Sequence, residues 1–595
     1  MAMPPRNPAI QYVQPTIPPF SLPDITGETY VTLAPDTLDL AERARVAIHG
    51  MTAIADRNAN GEIYWLNGFE WAPPTMYHDA NDWIENKIFS PSLLLRQACG
   101  SDEGMDVEWH RMATMAQMQG DDGLLYLPMA GRPWGNQFGG EGFRDGISQA
   151  GQFAILAAQG RYCSVLETYH QLTGDASWRA RAEKLLDALV RLSFRKDGLA
   201  YYAKSMYAPG EGRGACPAGM PPPSINFAFA WVGNGLLDYH RMTGSAKALD
   251  LAYGLARFFA SGASGFVGPN GEFRANHICS TFEMIPAAHI HFHTNTHIRM
   301  LMLDAGIAMN DREMIDLARA GYRHGMAIGD TLMGYFPEQA DAKAVNPAVY
   351  GNTTEICEVS EMVYLALRQS RAGLADEWDS IDRWMRNMVT ESQLMETEWA
   401  YAFSRERGVD FMKDSARRDP AIVASNVGVK VPERFLGTWG GWIHPNDWQG
   451  DTSHRSVMCC CVGNMAMHFY RVWRDMVQFD RARNRLTVNL LMNRACAQAD
   501  IHSYIPNRGL VRIEAKRDLE LAVRVPEWVR PEACRCSVEG RPVDAAVEGR
   551  YLVVPVAHNA TLAVEFPLAE TAETRAILGT PFRITRRGND IVDIE

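Results

Sequence analysis

The chain has no run of about 18 apolar residues, so no transmembrane helix is expected. It also lacks any run of five or more basic residues, and its net charge is -12. Nucleic acid and anionic membrane surfaces select clustered Lys and Arg, so neither is expected as a partner. The opening, MAMPPRNPAIQYVQPTIPPF, has no charged segment followed by an apolar one. No secretory signal is therefore expected, and the protein reads as cytoplasmic. A disulfide framework is not expected either, because the eleven cysteines are odd in number and sit in a long chain in which no export signal is read. What remains is ordinary globular material of 595 residues, 47% hydrophobic and 22% charged, long enough for a large core and more than one domain.

From about 40 to 475 the sequence reads as helices joined by turns. Tyr169-His170-Gln171-Leu172-Thr173-Gly174-Asp175-Ala176 recurs as Tyr239-His240-Arg241-Met242-Thr243-Gly244-Ser245-Ala246, each copy flanked by apolar-periodic helices. Gly tolerates the left-handed geometry that ends a helix, and the Asp or Ser that follows caps the next one. Fainter relatives span 297–326, with Asn310-Asp311 as the turn, and 358–389. Hairpins about 60 to 70 residues apart with long loops between them predict a closed ring, not a solenoid of about 34-residue repeats. After about 478 the segments become short and β-branched, as in RLTVNLLMN, LELAVRVPEW and TLAVEFPL, which predicts a β-sandwich module. The expected division is an extended arm over 1–40, an (α/α)6 toroid over 41–477 and a β-sandwich over 478–595, a mainly α chain with C-terminal β structure.

Two segments carry the most specific chemistry. One is Glu355-Ile356-Cys357, the other Cys459-Cys460-Cys461-Val462-Gly463-Asn464 before a helix expected to begin near Met465. Thiolates and carboxylates suit tetrahedral zinc. Residues two apart share a face in extended backbone but diverge by about 200° in a helix, so one metal held by Glu355 and Cys357 needs extended chain or a helix entrance there. Adjacent cysteines that share one metal call for non-helical backbone for the same reason. Neither segment is a CxxC knuckle, and spacing leaves a second reading open, in which these are small buried hydrophobes beside a helix start. Cys459 takes that second reading. His289, His291, His293 and His297 form a dense run. A helix start at Thr294 would put His293 at the mouth of the ring, facing a sugar hydroxyl, with His289 and His291 as satisfied core histidines.

These segments resemble the zinc-dependent β-L-arabinofuranosidases among the glycoside hydrolases. That family carries Glu-x-Cys, then Cys-Cys-x-x-Asn, similar to Glu355-Ile356-Cys357 and Cys460-Cys461-Val462-Gly463-Asn464. Its His-x-Asn-Thr segment is similar to His293-Thr294-Asn295-Thr296. Its Arg-Ile-Pro-x-Trp strand end is similar to Arg524-Val525-Pro526-Glu527-Trp528, and a following turn to Val538-Glu539-Gly540. The order agrees from about 150 onward. Val462 and Gly463 stand where the family usually has two prolines, and residues 400–450 do not match it.

The resemblance implies a retaining, exo-acting glycosidase with zinc as cofactor and a carbohydrate as substrate. It makes Cys460 the nucleophile, with Glu355, Cys357, Cys460 and Cys461 as metal ligands. Glu338, in GYFPEQ, takes the acid/base role. His293 and Asn295 are assigned to substrate, as are Trp134 and Trp442 among the loop aromatics, whose rings suit sugar C–H faces. Phe138, Tyr350, Trp439 and Trp448 belong to the same group of candidates, and Glu141, Arg144 and Asp145 are candidate hydroxyl partners beside Trp134. Three rivals stand beside this reading: a sugar epimerase on the same toroid, using the histidine run; a non-catalytic carbohydrate-binding protein with a structural zinc; and a hydrolase using carboxylates alone, pairing Glu338 with Asp341, Glu358 or Glu361. A homodimer formed through the β module is an open arrangement.

Overall fold

The computed structural model describes residues 4–78, 86–136, 151–215, 223–262, 264–274, 290–341, 353–415, 420–445, 457–577 and 579–595. Its helical body is built from α1 (Leu40–Ala53), α2 (Asn86–Cys99), α3 (Met105–Met118), α4 (Leu156–Thr173), α5 (Ala176–Leu192), α6 (Pro223–Thr243), α7 (Ala246–Ala260), α8 (Phe292–Met309), α9 (Arg312–Ile328), α10 (Ile356–Arg371), α11 (Trp378–Trp384) and α12 (Cys459–Asp475). Among the described residues, the even-numbered helices pack in a closed ring, α2 on α4, then α6, α8, α10, α12 and back to α2. The odd-numbered helices alternate with them on the outside. The fold is the expected (α/α)6 toroid followed by β-sandwich structure.

Burial explains which helix lies inside. Every residue of α8 from Phe292 to Gly306 is buried, so this helix is covered on all sides. Its neighbour α9 keeps a single apolar stripe, with Met314, Ile315, Ala318 and Tyr322 buried, and turns its charges outward. The repeated turns form as expected. Gly174 and Gly244 adopt φ of 74° and 72° at the ends of α4 and α6. The Asp175 carboxylate accepts from Ser177 N at 2.9 Å and the Ser245 hydroxyl from Ala248 N at 3.3 Å, which starts α5 and α7. Asn310 is left-handed and the Asp311 side chain caps α9, completing the third copy.

Two sheets follow α12. A five-stranded sheet contains Val477–Asp480, Arg485–Val488, Leu519–Arg524, Tyr551–Val556 and Ala546–Glu548 in spatial order, and a six-stranded sheet runs from Arg494–Ala495 to Arg541–Val543. Leu486, Val488, Ile501, Val511, Ile513, Leu521, Val554 and Leu562 fill the space between them. The last three strands, Glu570–Ile577, Thr580–Arg587 and Asp590–Ile594, form a separate sheet. Ile577 and Ile584 join the helical core. Arg386 pairs with Asp590 at 3.2 Å, and Asn387 Nδ2 donates to the Asn589 carbonyl at 2.9 Å. The N-terminal segment runs first along α3, where Arg6 donates to Thr114 and Gln117. It then reaches the sandwich, where Val31 N donates to Asp500. Among the described residues no helix is long and apolar enough to cross a membrane.

Candidate metal and catalytic site

Closure of the ring brings the starts of α2, α8, α10 and α12 together, and the chemistry gathers there. A two-residue strand, Thr354–Glu355, pairs antiparallel with Trp442–Ile443 and sets Glu355 opposite Trp442. Glu355 is extended, with φ −84° and ψ 125°, and α10 begins at the next residue. Cys357 therefore lies in the first turn, at the helix entrance the spacing called for. The Glu358 carboxylate accepts from Glu355 N at 2.8 Å and locks this start.

The second segment differs from expectation. Helix α12 begins at Cys459, so all three cysteines lie in its first turn and none precedes it. Adjacent residues of a helix stand about 100° apart, which still lets Cys460 and Cys461 converge on a point off the helix end. Cys459 turns away, its thiol donating to the Tyr64 carbonyl at 3.2 Å. The sulfurs of Cys357 and Cys461 lie 3.5 Å apart and those of Cys460 and Cys461 3.7 Å apart. The Glu355 Oε1 atom lies 3.3 Å from Cys461 Sγ and 3.8 Å from Cys460 Sγ. All four donor atoms fall within 4.8 Å of one another.

This donor set fits zinc. Thiolates about 2.3 Å from a tetrahedral ion stand roughly 3.8 Å from each other, and a carboxylate oxygen about 2.1 Å from it stands roughly 3.6 Å from each sulfur. The two helix starts add favourable partial charge for thiolates. Burial raises every thiol here, and Cys357 and Cys461 sit well above the ordinary value. For Cys460, hydrogen bonds from Cys357 and Cys461 and the charge of Lys87 overcome burial and bring the thiol down to about 6. Cys460 is also the least enclosed of the three, 5% exposed against 0% for Cys357 and Cys461.

Beside this cluster, Glu338, His291 and Glu355 place their ligand-type atoms within 4.8 Å of one another. Burial and the Glu355 carboxylate push the Glu338 carboxyl up to about 8, against a hydrogen bond from Trp442. Burial works to raise Glu355 too, but His293, a hydrogen bond from His291 and the Lys87 charge hold it at about 2. His291 Nε2 lies 3.2 Å from Glu355 Oε2 and its Nδ1 lies 2.9 Å from the Thr294 hydroxyl. This histidine was read from sequence as a core residue; its contact with Glu355 is visible only once α8 and α10 are neighbours.

Of the remaining candidates, His293 sits 2.9 Å from Glu361 at the start of α8, which begins at Phe292 and not at Thr294. Glu361 also accepts from Thr296 at 2.6 Å and Asn464 at 2.9 Å, so it organises the floor of the site. Asn295 is fully committed inside the protein, donating to the His291 carbonyl and accepting from Arg299 at 2.9 Å. Trp134 stacks on His78 with ring centroids 4.2 Å apart and donates to Glu62 at 2.7 Å. Trp439 is enclosed against Phe469. Phe138, Glu141, Arg144, Asp145, His289, Tyr350 and Trp448 lie outside the described residues.

No family model matches the chain, and no curated protein does. Solved structures do. A GH127 beta-L-arabinofuranosidase from Geobacillus stearothermophilus T6 is 14% identical, with 94% of this chain and 81% of that one covered at a TM-score of 0.50. A second GH127 beta-arabinofuranosidase is 14% identical over 93% of this chain and 80% of that one, TM-score 0.53. A structure described as a glycoside hydrolase is 11% identical over 93% and 81%, TM-score 0.57. At these identities the likeness establishes the shared fold, a helical toroid carrying β-sandwich structure, along nearly the whole chain.

Proposed function

We propose that the protein is a retaining, exo-acting glycoside hydrolase of the β-L-arabinofuranosidase type, with the toroid of residues 41–477 as its catalytic unit and 478–595 as its β-sandwich unit. The observation that carries this reading is the convergence of Glu355, Cys357, Cys460 and Cys461 within 4.8 Å, with Glu338 beside them. A zinc ion held by these four residues would keep the thiols deprotonated at neutral pH. The Cys460 sulfur attacks the anomeric carbon, forming a C–S bond as the glycosidic C–O bond breaks. Glu338, protonated because burial and Glu355 raise it to about 8, gives its proton to the leaving oxygen. The resulting carboxylate then takes a proton from water, whose oxygen displaces Cys460 and releases the sugar with its configuration retained. His291 and His293 hold the Glu355 and Glu361 carboxylates in place around this centre.

A four-ligand site is ordinarily structural. Cys460 departs from that pattern as the one ligand cysteine with any exposure, 5% against 0% for Cys357 and Cys461. The cysteines among the described residues are all free, which suits a reducing, cytoplasmic setting. Nitrophenyl furanosides and pyranosides test the assignment. Release from a furanoside by the wild type and none by Cys460→Ser, with an unchanged circular dichroism spectrum, is the expected result. A fully active Cys460→Ser protein rules the mechanism out.

A further inference from the structure

Resting on that reading of the site, we propose that Lys87 and Arg161 form a subsite for an oxyanion of the substrate, so that the glycoside carries a negative charge, most simply the carboxylate of an acidic sugar. Lys87 stands second in α2 and is 2% exposed. Among the described residues its buried Nζ has no hydrogen-bond acceptor. It lies 4.4 Å from the centroid of the Trp231 ring. The guanidinium carbon of Arg161, on α4, lies 5.7 Å from the same ring. Among the described residues Arg161 has no hydrogen-bond or ion-pair acceptor for its side chain.

The ring contact offsets little of the cost of burying an ammonium whose three donors are unmet. The carboxylates closest in chemistry are already engaged. Asp238 pairs with Arg241 and Arg471, Glu361 with His293, His297, Thr296 and Asn464, and Glu355 with His291 and the cysteine cluster. The pair also adjoins the elements that build the candidate site. Gly463, one helical turn beyond Cys460, meets Lys87 so closely that a Cβ there would be 2.6 Å from the Lys87 backbone carbon. Trp231 in turn lies 5.4 Å from His297 and 6.2 Å from His293, ring centroid to centroid. Two cations against one indole ring make a site for a group with charge-assisted acceptors.

The test is calorimetric binding to the full-length, zinc-loaded protein. The probes are D-galacturonate and D-glucuronate, the neutral sugars D-galactose and D-glucose, and inorganic sulfate. The expected result is that uronates bind and the neutral sugars bind far more weakly. Lys87→Met and Arg161→Met should each weaken uronate binding about ten- to hundredfold, the loss of a hydrogen bond to a charged group. Zinc content should not change in Arg161→Met, and added NaCl should weaken the wild-type interaction. Should Lys87→Met not fold, Lys87→Arg retains the charge and is expected to retain the preference, and Arg161→Met reads the subsite independently. Sulfate competing with uronate supports the subsite and extends it to sulfated sugars. Uronates binding no better than neutral sugars overturns the proposal, as do variants that lose zinc while keeping the preference for uronates. Uronate binding without turnover of any glycoside sinks the hydrolase and leaves the subsite. Turnover of neutral furanosides with no uronate preference does the reverse.

Discussion

Single residues divide the work at the ring mouth by how much of each side chain is already spent. Asn295 and Trp134 were assigned to substrate from motif and loop position, yet their polar atoms are bonded to protein. Glu338 is different, since burial and a neighbouring carboxylate keep it protonated near neutrality. Glu338→Gln is expected to slow turnover of poor leaving groups roughly 10²- to 10⁴-fold, the usual contribution of a general acid. Wild-type activity should fall as pH rises through about 8, where the proton is lost. Steady-state rates on alkyl and nitrophenyl glycosides across pH check both, and an unchanged rate on alkyl glycosides refutes the assignment. Gly463 is the second residue-scale test. Its missing side chain lets α2 approach α12 at Lys87, so Gly463→Ala forces a backbone shift or strain costing about 1–3 kcal/mol, measurable by urea unfolding. No loss of stability there would mean that the two helices are not in close contact.

Elements explain what could be read in advance and what could not. The Thr-Gly-Asp and Thr-Gly-Ser turns were legible because helix termination and capping depend on neighbours in sequence. The cysteine segments are legible as a pattern, but α12 starts six residues before the expected Met465, because adjacent ligands taken alone call for non-helical chain. A metal beyond a helix end relaxes that demand. Lys87, Arg161 and Trp231 gave no local signal, since each comes from a different inner helix and they meet only when the ring closes; His291 stood out in its run of histidines, but its Glu355 partner did not. The same closure is held by Asp304 on α8, which pairs with Arg241 on α6 at 2.8 Å and with Arg368 on α10 at 2.6 Å. Burial would raise the Asp304 carboxyl, but Arg241, Arg368 and the Tyr364 hydroxyl hold it well below the usual range. The folded state therefore binds this proton more weakly than the unfolded chain. Its stabilisation is present above the unfolded value of about 3.9 and drains away as pH falls below it. Asp304→Asn should cost about 1.5–3 kcal/mol at pH 7, where Arg368 loses its carboxylate and Arg241 keeps only Asp238, and less below about pH 4. Urea unfolding at the two pH values decides it; a difference that grows in acid contradicts the sign.

At the scale of the molecule, the toroid and the β-sandwich were legible because a change from helical to alternating periodicity needs no tertiary knowledge. The return of the last three strands to the helical core was not, since Ile577 and Ile584 look like any sandwich residue until Asn387 and Arg386 are seen receiving that sheet. The shared fold with solved glycoside hydrolases extends over nearly the whole chain at 14% identity or less. What the site does thus depends on its own donors. X-ray absorption at the zinc edge, on protein purified without added metal chelator, measures them directly. About one zinc per chain, with three sulfur neighbours near 2.3 Å and one oxygen near 2.0–2.2 Å, is the expected result. A metal-free protein that takes up no zinc, or a zinc shell of nitrogen and oxygen alone, contradicts the account.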